Sequence, residues 1–191
     1  NAVHGMTEMH PAQVFRTDNG GVLWTDRSPT IAQLQFVQGS FMTCAFSGNT
    51  IFAAGEFGVV MIEDGTGWRK VNPINMPALI NHVYTDMDAV SPTEIFLVGR
   101  DDALNTPVAY RSIRDLSRFV SMLPSNMAFG TSKLWSVDFL DANYGWIGES
   151  RIYSGMTNDA CVTWTSFMAG SAPPGDPMYG IDFIDRLNGW S

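Results

Sequence analysis

The sequence predicts an all-β protein, a β-propeller of four-stranded antiparallel blades with about four blades in this chain. Three observations predict it. A unit of roughly 44 residues recurs along the 191-residue chain. Each unit reads as four short apolar or alternating segments separated by Gly, Asp, Asn, Ser or Pro. The composition, with 18 Gly, 10 Pro and 12% aromatic residues, suits many short strands joined by tight turns.

The repeat is clearest toward the C-terminus. Leu134–Trp146 and Met178–Trp190 align without a gap at an offset of 44. Five positions are identical: Asp138/Asp182, Phe139/Phe183, Asp141/Asp185, Gly145/Gly189 and Trp146/Trp190. Two weaker copies, Ala45–Gly55 and Ala89–Gly99, share one plan: an apolar strand, a polar turn, then an aromatic-apolar strand ending on Gly. The outer half of the unit is recognisable as well. Val59–Ile62 leads into Asp64-Gly65 and Trp68, and Arg151–Ser154 leads into Asp159 and Trp164. The units run over 31–78, 79–127 and 128–177, with a fourth made of 178–191 plus 1–30, all in a single domain. Ser112–Met122 has weak helical spacing, but it falls where outer strands belong, and no long amphipathic helix is expected.

The fourth unit is split between the ends of the sequence. Trp190 lies just inside a second strand, while Gln13–Trp24 reads as a third strand, a turn and an outer strand. Pairing Tyr179–Ile184 with residues near Val14–Arg16 in one sheet would close the ring and remove open sheet edges. The alternative is that the chain forms part of a larger propeller.

These residues resemble a known family. Val137-Asp-Phe-Leu-Asp-Ala-Asn-Tyr-Gly-Trp-Ile-Gly148 is similar to the blade signature of photosystem II stability/assembly factor-like propellers. Their repeats end in the Asp-box turn of bacterial neuraminidase-type repeats, T-x-D-G-G-x-T-W. Thr157–Trp164 matches that turn except at Cys161, where Gly is usual. Arg16–Trp24 matches with one extra residue, and Ile62–Trp68 is a shortened form. The unit at 79–127 lacks the box, with Phe119 as a replacement for its Trp. The resemblance implies that Asp18, Asp64 and Asp159 organise their own turns by accepting backbone N–H bonds. It also implies that Trp24, Trp68 and Trp164 are buried between blades. An extracytoplasmic or secreted setting follows by the same analogy. The motifs specify fold more than function, because such turns serve enzymes, lectins and scaffolds alike.

Charge and motif content narrow the function. The net charge is −8, and no Lys/Arg cluster offsets it, which argues against nucleic-acid binding and against an anionic membrane surface. No apolar run reaches the roughly 18 residues of a membrane-spanning helix. Cys44 and Cys161 form no CxxC spacing and read as unpaired thiols. The spacing of His4, Glu8 and His10 fits no zinc pattern, and no metal or cofactor is expected. His82 is isolated, and no P-loop, GxGxxG or Ser-His-Asp order is present. A sialidase needs an arginine cluster, and Arg100, Arg111, Arg114 and Arg151 match no position of one.

One constellation remains. Asp88, Asp138 and Asp182 occupy equivalent inner-strand positions, with Cys44 at the fourth. Such groups ordinarily satisfy backbone donors at blade junctions; replacing Asp138 is then expected to lower stability. The sharper reading places them around an axial ligand or cation site, or makes two of them a glycosidase pair. Trp135 and Tyr179, also equivalent, are either core aromatics or a platform for a sugar or a partner protein. The sequence thus points to a non-catalytic binding or assembly module that recognises a protein or glycan partner through its propeller faces. The second reading is a carbohydrate-active hydrolase using axial carboxylates. Homo-oligomerisation is compatible with either.

Overall fold

The computed structural model describes residues 13–34, 39–74, 81–113, 115–123, 133–149, 153–168 and 178–191. Three four-stranded antiparallel sheets follow one another along the chain. The first comprises β3 (Phe41–Ser47), β4 (Thr50–Gly55), β5 (Val60–Glu63) and β6 (Trp68–Lys70). The second comprises β7 (His82–Ser91), β8 (Glu94–Asp101), β9 (Thr106–Ile113) and β10 (Arg118–Ser121). The third comprises β11 (Leu134–Phe139), β12 (Gly145–Glu149), β13 (Tyr153–Thr157) and β14 (Thr165–Met168). Each pairs in simple chain order, as a propeller blade does. Ser112–Met122 lies in the outer part of the second blade, with Leu116 and Phe119 buried.

The core lies between blades. Phe52, Ala54 and Ile62 of the first blade meet Tyr84, Met87 and Leu97 of the second. Phe96, Val98 and Ala109 of the second meet Val137, Phe139 and Ile147 of the third. A second strand is therefore covered on both faces, which is why Ile95–Val98 form an unbroken apolar run with no polar alternation. Three of the five repeated identities acquire reasons here. Asp141 accepts from the N–H groups of Asn143 and Tyr144, and Asp185 from those of Leu187 and Asn188, closing the first hairpin of each unit. Gly145 and Gly189 lie directly beneath the rings of Phe139 and Phe183, where an added Cβ would collide with the ring. That bare backbone lets Phe139 lie flat on Phe96, at 3.6 Å between centroids and 4° between planes. Phe183 lies on Trp146 with the same separation and angle.

The outer turns follow a common scheme. Around Asp159, the carboxylate accepts from Thr163 N–H at 2.8 Å, and the Thr157 hydroxyl accepts from Cys161 N–H at 3.1 Å. Cys161 holds a φ of 67°, the left-handed conformation for which Gly is the usual residue. The turn at Thr17–Trp24 repeats these bonds: Leu23 N–H to Asn19 at 2.9 Å, and Gly21 N–H to Thr17 at 2.9 Å. Asn19, not Asp18, therefore holds the place of Asp159, and the turn carries no extra residue. Asp18 instead lies in an exposed ion pair with Arg16. Asp64 caps its shortened turn through the backbone and hydroxyl of Thr66.

Trp68 and Trp164 are 7% and 6% exposed. Each indole N–H donates to the carbonyl that follows the outer strand of the preceding unit, Trp68 to Arg27 and Trp164 to Met122. Trp24 differs from the sequence expectation. It is 56% exposed, and among the described residues no preceding unit packs on it.

The remaining strands form two half-blades. β1 (Phe15–Arg16) pairs with β2 (Thr25–Asp26), and β15 (Asp182–Phe183) pairs with β16 (Gly189–Trp190). The expected joining of Tyr179–Ile184 with Val14–Arg16 is not part of this sheet pattern. The two half-blades are separate two-stranded sheets. Each is held by its own chain neighbour, β15 through Phe183 on Trp146 and β2 through the Trp68–Arg27 bond. A single helical turn, α1 (Ile31–Leu34), leads into the first blade, with Thr30 and Gln33 capping each other. No helix of the described residues is long and apolar enough to cross a membrane.

Trp164→Ala removes a buried ring and leaves the Met122 carbonyl without its donor. It should destabilise the fold by about 3–5 kcal/mol in chemical denaturation. A loss below about 1 kcal/mol would show that this side chain does not anchor the blade.

Candidate functional site

The inner strands bring the acids of the sequence analysis to one side. The cross-strand register defines which positions correspond: Asp88 lies opposite Phe96, Asp138 opposite Trp146 and Asp182 opposite Trp190. In the first blade the residue in that slot is Ala45, opposite Phe52. Cys44, expected there, lies opposite Ala53 and corresponds to Met87 and Val137. The cause is one extra residue, Val90, bulged between Ala89 and Ser91 of β7, which shifts the linear alignment by one.

Asp88 and Asp138 are used between blades. Asp88 accepts from Phe139 N–H of the third blade at 2.8 Å, and Asp138 accepts from Phe183 N–H of the C-terminal half-blade at 2.6 Å. Asp86 acts in the same way and was not singled out by sequence reasoning. It accepts from Val137 N–H at 2.9 Å and from the Thr43 hydroxyl at 3.2 Å, tying three blades together. Its sequence signal is the Asp-x-Asp alternation of β7, which places both carboxylates on one face. Asp88 also accepts from Ala89 N–H of its own strand. Asp182 accepts no hydrogen bond among the described residues.

Burial holds all three bonded carboxyls above the usual Asp range. For Asp138, pushed up to about 6, burial is the main cause, and the charges of Asp88, Asp182 and Asp86 add to it while the Phe183 N–H opposes it. Asp86 and Asp88 are likewise raised, first by burial. Among the described residues, no group of three or more His, Cys, Asp or Glu is placed to hold a metal ion. His4, Glu8, His10, Arg114 and Arg151 lie outside the described residues. His82 is a core residue, stacked on Tyr110, with Nε2 3.4 Å from Asp101.

Trp135 and Tyr179 come together as an edge-to-face pair at 5.0 Å, spanning the junction between the third blade and the C-terminal half-blade. Lys133 places its ammonium 3.9 Å from the centre of the Trp135 ring. Burial, and then the nearby Arg100, hold its pKa below the usual lysine value. Tyr179 is largely exposed, and the Trp135 indole nitrogen has no acceptor among the described residues. These three side chains form a small cationic–aromatic surface beside the start of β11. The cleft between the N-terminal half-blade and the first blade is lined by Arg16, Asp18, Thr25, Arg27 and Asn49. Its guanidiniums are engaged, Arg16 by Asp18 and Arg27 by Glu63.

The raised Asp138 value carries a pH dependence with a definite sign. A carboxyl whose folded pKa lies above its unfolded value contributes stability that is full below the unfolded pKa and is lost as pH rises through the folded one. Stability due to Asp138 should thus fall between about pH 4 and pH 6. Asp138→Asn keeps an acceptor for Phe183 and removes the charge, so its melting temperature should fall less than wild type across that window. Asp138→Ala should be less stable at every pH, because the Phe183 N–H loses its partner. Parallel melting profiles for wild type and Asp138→Asn would contradict this account.

Comparison with protein-family models and with curated protein sequences finds no match. Solved structures do match. A structure of YCF48 bound to D1 peptide is 12% identical with a TM-score of 0.58, covering 91% of this chain and 51% of that one. YCF48 from Cyanidioschyzon merolae is 14% identical with a TM-score of 0.62, covering 93% and 59%. The computationally designed Ika4 protein is 11% identical with a TM-score of 0.53, covering 78% and 82%. This chain therefore spans between half and three-fifths of the YCF48 chains. The likeness, together with three consecutive four-stranded antiparallel blades, establishes the fold: the chain is a β-propeller.

Proposed function

We propose that this chain is a non-catalytic assembly or binding module that holds an extended segment of a partner protein against a propeller face. The observation that carries the reading is the use of the inner-strand carboxylates. Asp86, Asp88 and Asp138 accept backbone N–H groups of the next unit, which makes them joints of the scaffold. The surface of Lys133, Trp135 and Tyr179 supplies what a peptide needs: a cation, an exposed ring and a flat apolar face. Support of a different kind comes from the YCF48 structure bound to D1 peptide, a propeller of the same fold with a peptide on it. The resemblance to assembly-factor propellers also favours an extracytoplasmic setting.

The hydrolase reading draws on one observation, the Asp138 carboxyl near pH 6 beside the Asp88 and Asp182 charges. A general acid has such a value; against that reading, Asp138 Oδ2 accepts the Phe183 N–H across the blade junction. The glycan reading rests on the same exposed rings, which stack on sugars as readily as on peptides.

Calorimetric titration with an array of extended peptides, the D1 peptide among them, and with neutral oligosaccharides tests the proposal. Saturable peptide binding is expected, weakened about tenfold or more, roughly 1.4 kcal/mol, by Tyr179→Ala. No turnover of aryl glycosides is expected. Glycoside hydrolysis lost in Asp138→Asn, or oligosaccharide binding without peptide binding, would overturn it.

A further inference from the structure

His82 opens β7 of the second blade, which has the first blade packed on one face and the third on the other. The function proposed above makes no use of it. Its cross-strand partner on β8 is Asp101. Tyr84, two residues on, shares its face of the strand. The imidazole stacks on Tyr110 of β9, at 5.6 Å between centroids and 16° between planes, and meets the edge of Tyr84 at 6.2 Å. The His82 side chain is 7% exposed. Nε2 faces Asp101 Oδ2 at 3.4 Å, and Nδ1 is buried without a hydrogen-bond partner among the described residues.

Asp101 faces two ways. While Oδ2 looks at the imidazole, Oδ1 accepts the N–H groups of Ala103 at 2.9 Å and Leu104 at 3.1 Å. Those two bonds order the hairpin between β8 and β9, which presents Leu104 to solvent. One carboxylate therefore joins a buried imidazole to an exposed turn. A neutral ring with its proton on Nε2 suits this place, since Nε2–H points at the carboxylate. Protonation makes both ring nitrogens donors and leaves the Nδ1 proton in a site lined by rings. A buried charged donor without an acceptor is costly. Burial accordingly pulls the His82 imidazole below its ordinary value, with the Asp101 charge opposing.

We propose that His82 is a pH-sensitive latch on the β8–β9 hairpin: the neutral ring stays between Tyr84 and Tyr110 and steadies Asp101, and protonation expels the ring and frees the hairpin. The groups around it leave this role to the His82–Asp101 pair. Tyr84 and Tyr110 present phenols that burial raises above their usual range, so both stay neutral as His82 titrates. Arg100, beside Asp101, is engaged by Asp102, and Glu94 at the other end of β8 pairs with Arg111 of β9. Glu56, on the helical turn packed against β7, accepts the Ser40 N–H. Cys44 of β3 and Asp138 of β11 stand by Asp86 and Asp88 instead. The sign is definite. A site that lowers the pKa of a His binds fewer protons closed than open, so closure is full above the open-state value and is lost as pH falls below it.

Amide hydrogen exchange on the full chain, read by NMR between about pH 7.5 and pH 5 and corrected for intrinsic exchange, tests the latch. Protection of the Ala103 and Leu104 amides should be level above about pH 7 and fall by up to about tenfold per pH unit below about 6.5. The Asn143 and Tyr144 amides are held by Asp141 in the same way, in the third blade, and should keep their protection. His82→Phe keeps a ring on Tyr110 and takes no proton, so its hairpin protection should not respond to pH. His82→Gln, which keeps an N–H for Asp101, should behave alike. Asp101→Asn retains an acceptor for the hairpin and removes the charge that favours the imidazolium, so its acid loss should be deeper than that of wild type. Level or rising protection in wild type on acidification would overturn the proposal. So would an equal loss at Asn143 and Tyr144, the mark of global opening, or the wild-type response persisting in His82→Phe or His82→Gln. Peptide titration at Lys133, Trp135 and Tyr179 is a separate readout and does not depend on this outcome.

Discussion

The structure depends on the junction between one blade and the next. A four-stranded blade is only one sheet thick, and its second strand is apolar on both faces, so no blade is stable alone. On both sides of the third blade, what fixes the distance and angle between neighbours is a pair of contacts made at one point: an aromatic ring lying flat on an inner-strand Phe, and a carboxylate accepting the N–H of that same Phe. The ring contributes buried area and the carboxylate contributes direction. A stack alone would slide, while a hydrogen bond to a defined backbone atom fixes the register of one inner strand against another.

This arrangement has a cost that is visible in the electrostatics. The carboxylates that grip neighbouring blades converge, are partly buried and share no cation among the described residues, so their pKa values rise. The backbone donors recover part of that cost, as charge-assisted hydrogen bonds do. Asp86, Asp88 and Asp138 thereby join one blade to the next, and in the function proposed above recognition falls to Lys133, Trp135 and Tyr179.

The blades are legible in local pattern alone. The 44-residue offset, the Asp-turn-Gly-Trp hairpins and the two buried indoles follow from local rules: strand alternation, side-chain capping of a turn, and the bare backbone of Gly145 under the ring of Phe139. Each of these acts within a few residues or across one hairpin, so pattern alone carries it. Other features depend on packing between distant units. A single bulge at Val90 moved the fourth inner-strand slot from Cys44 to Ala45, which no gapless alignment can show. The exchange of Asp18 for Asn19 in the first turn appears only in the hydrogen bonds. The role of Asp86, the exposure of Trp24 and the separation of the two half-blades depend on which neighbour stands against which face. That is a property of packing between units far apart in sequence, and no residue carries it alone.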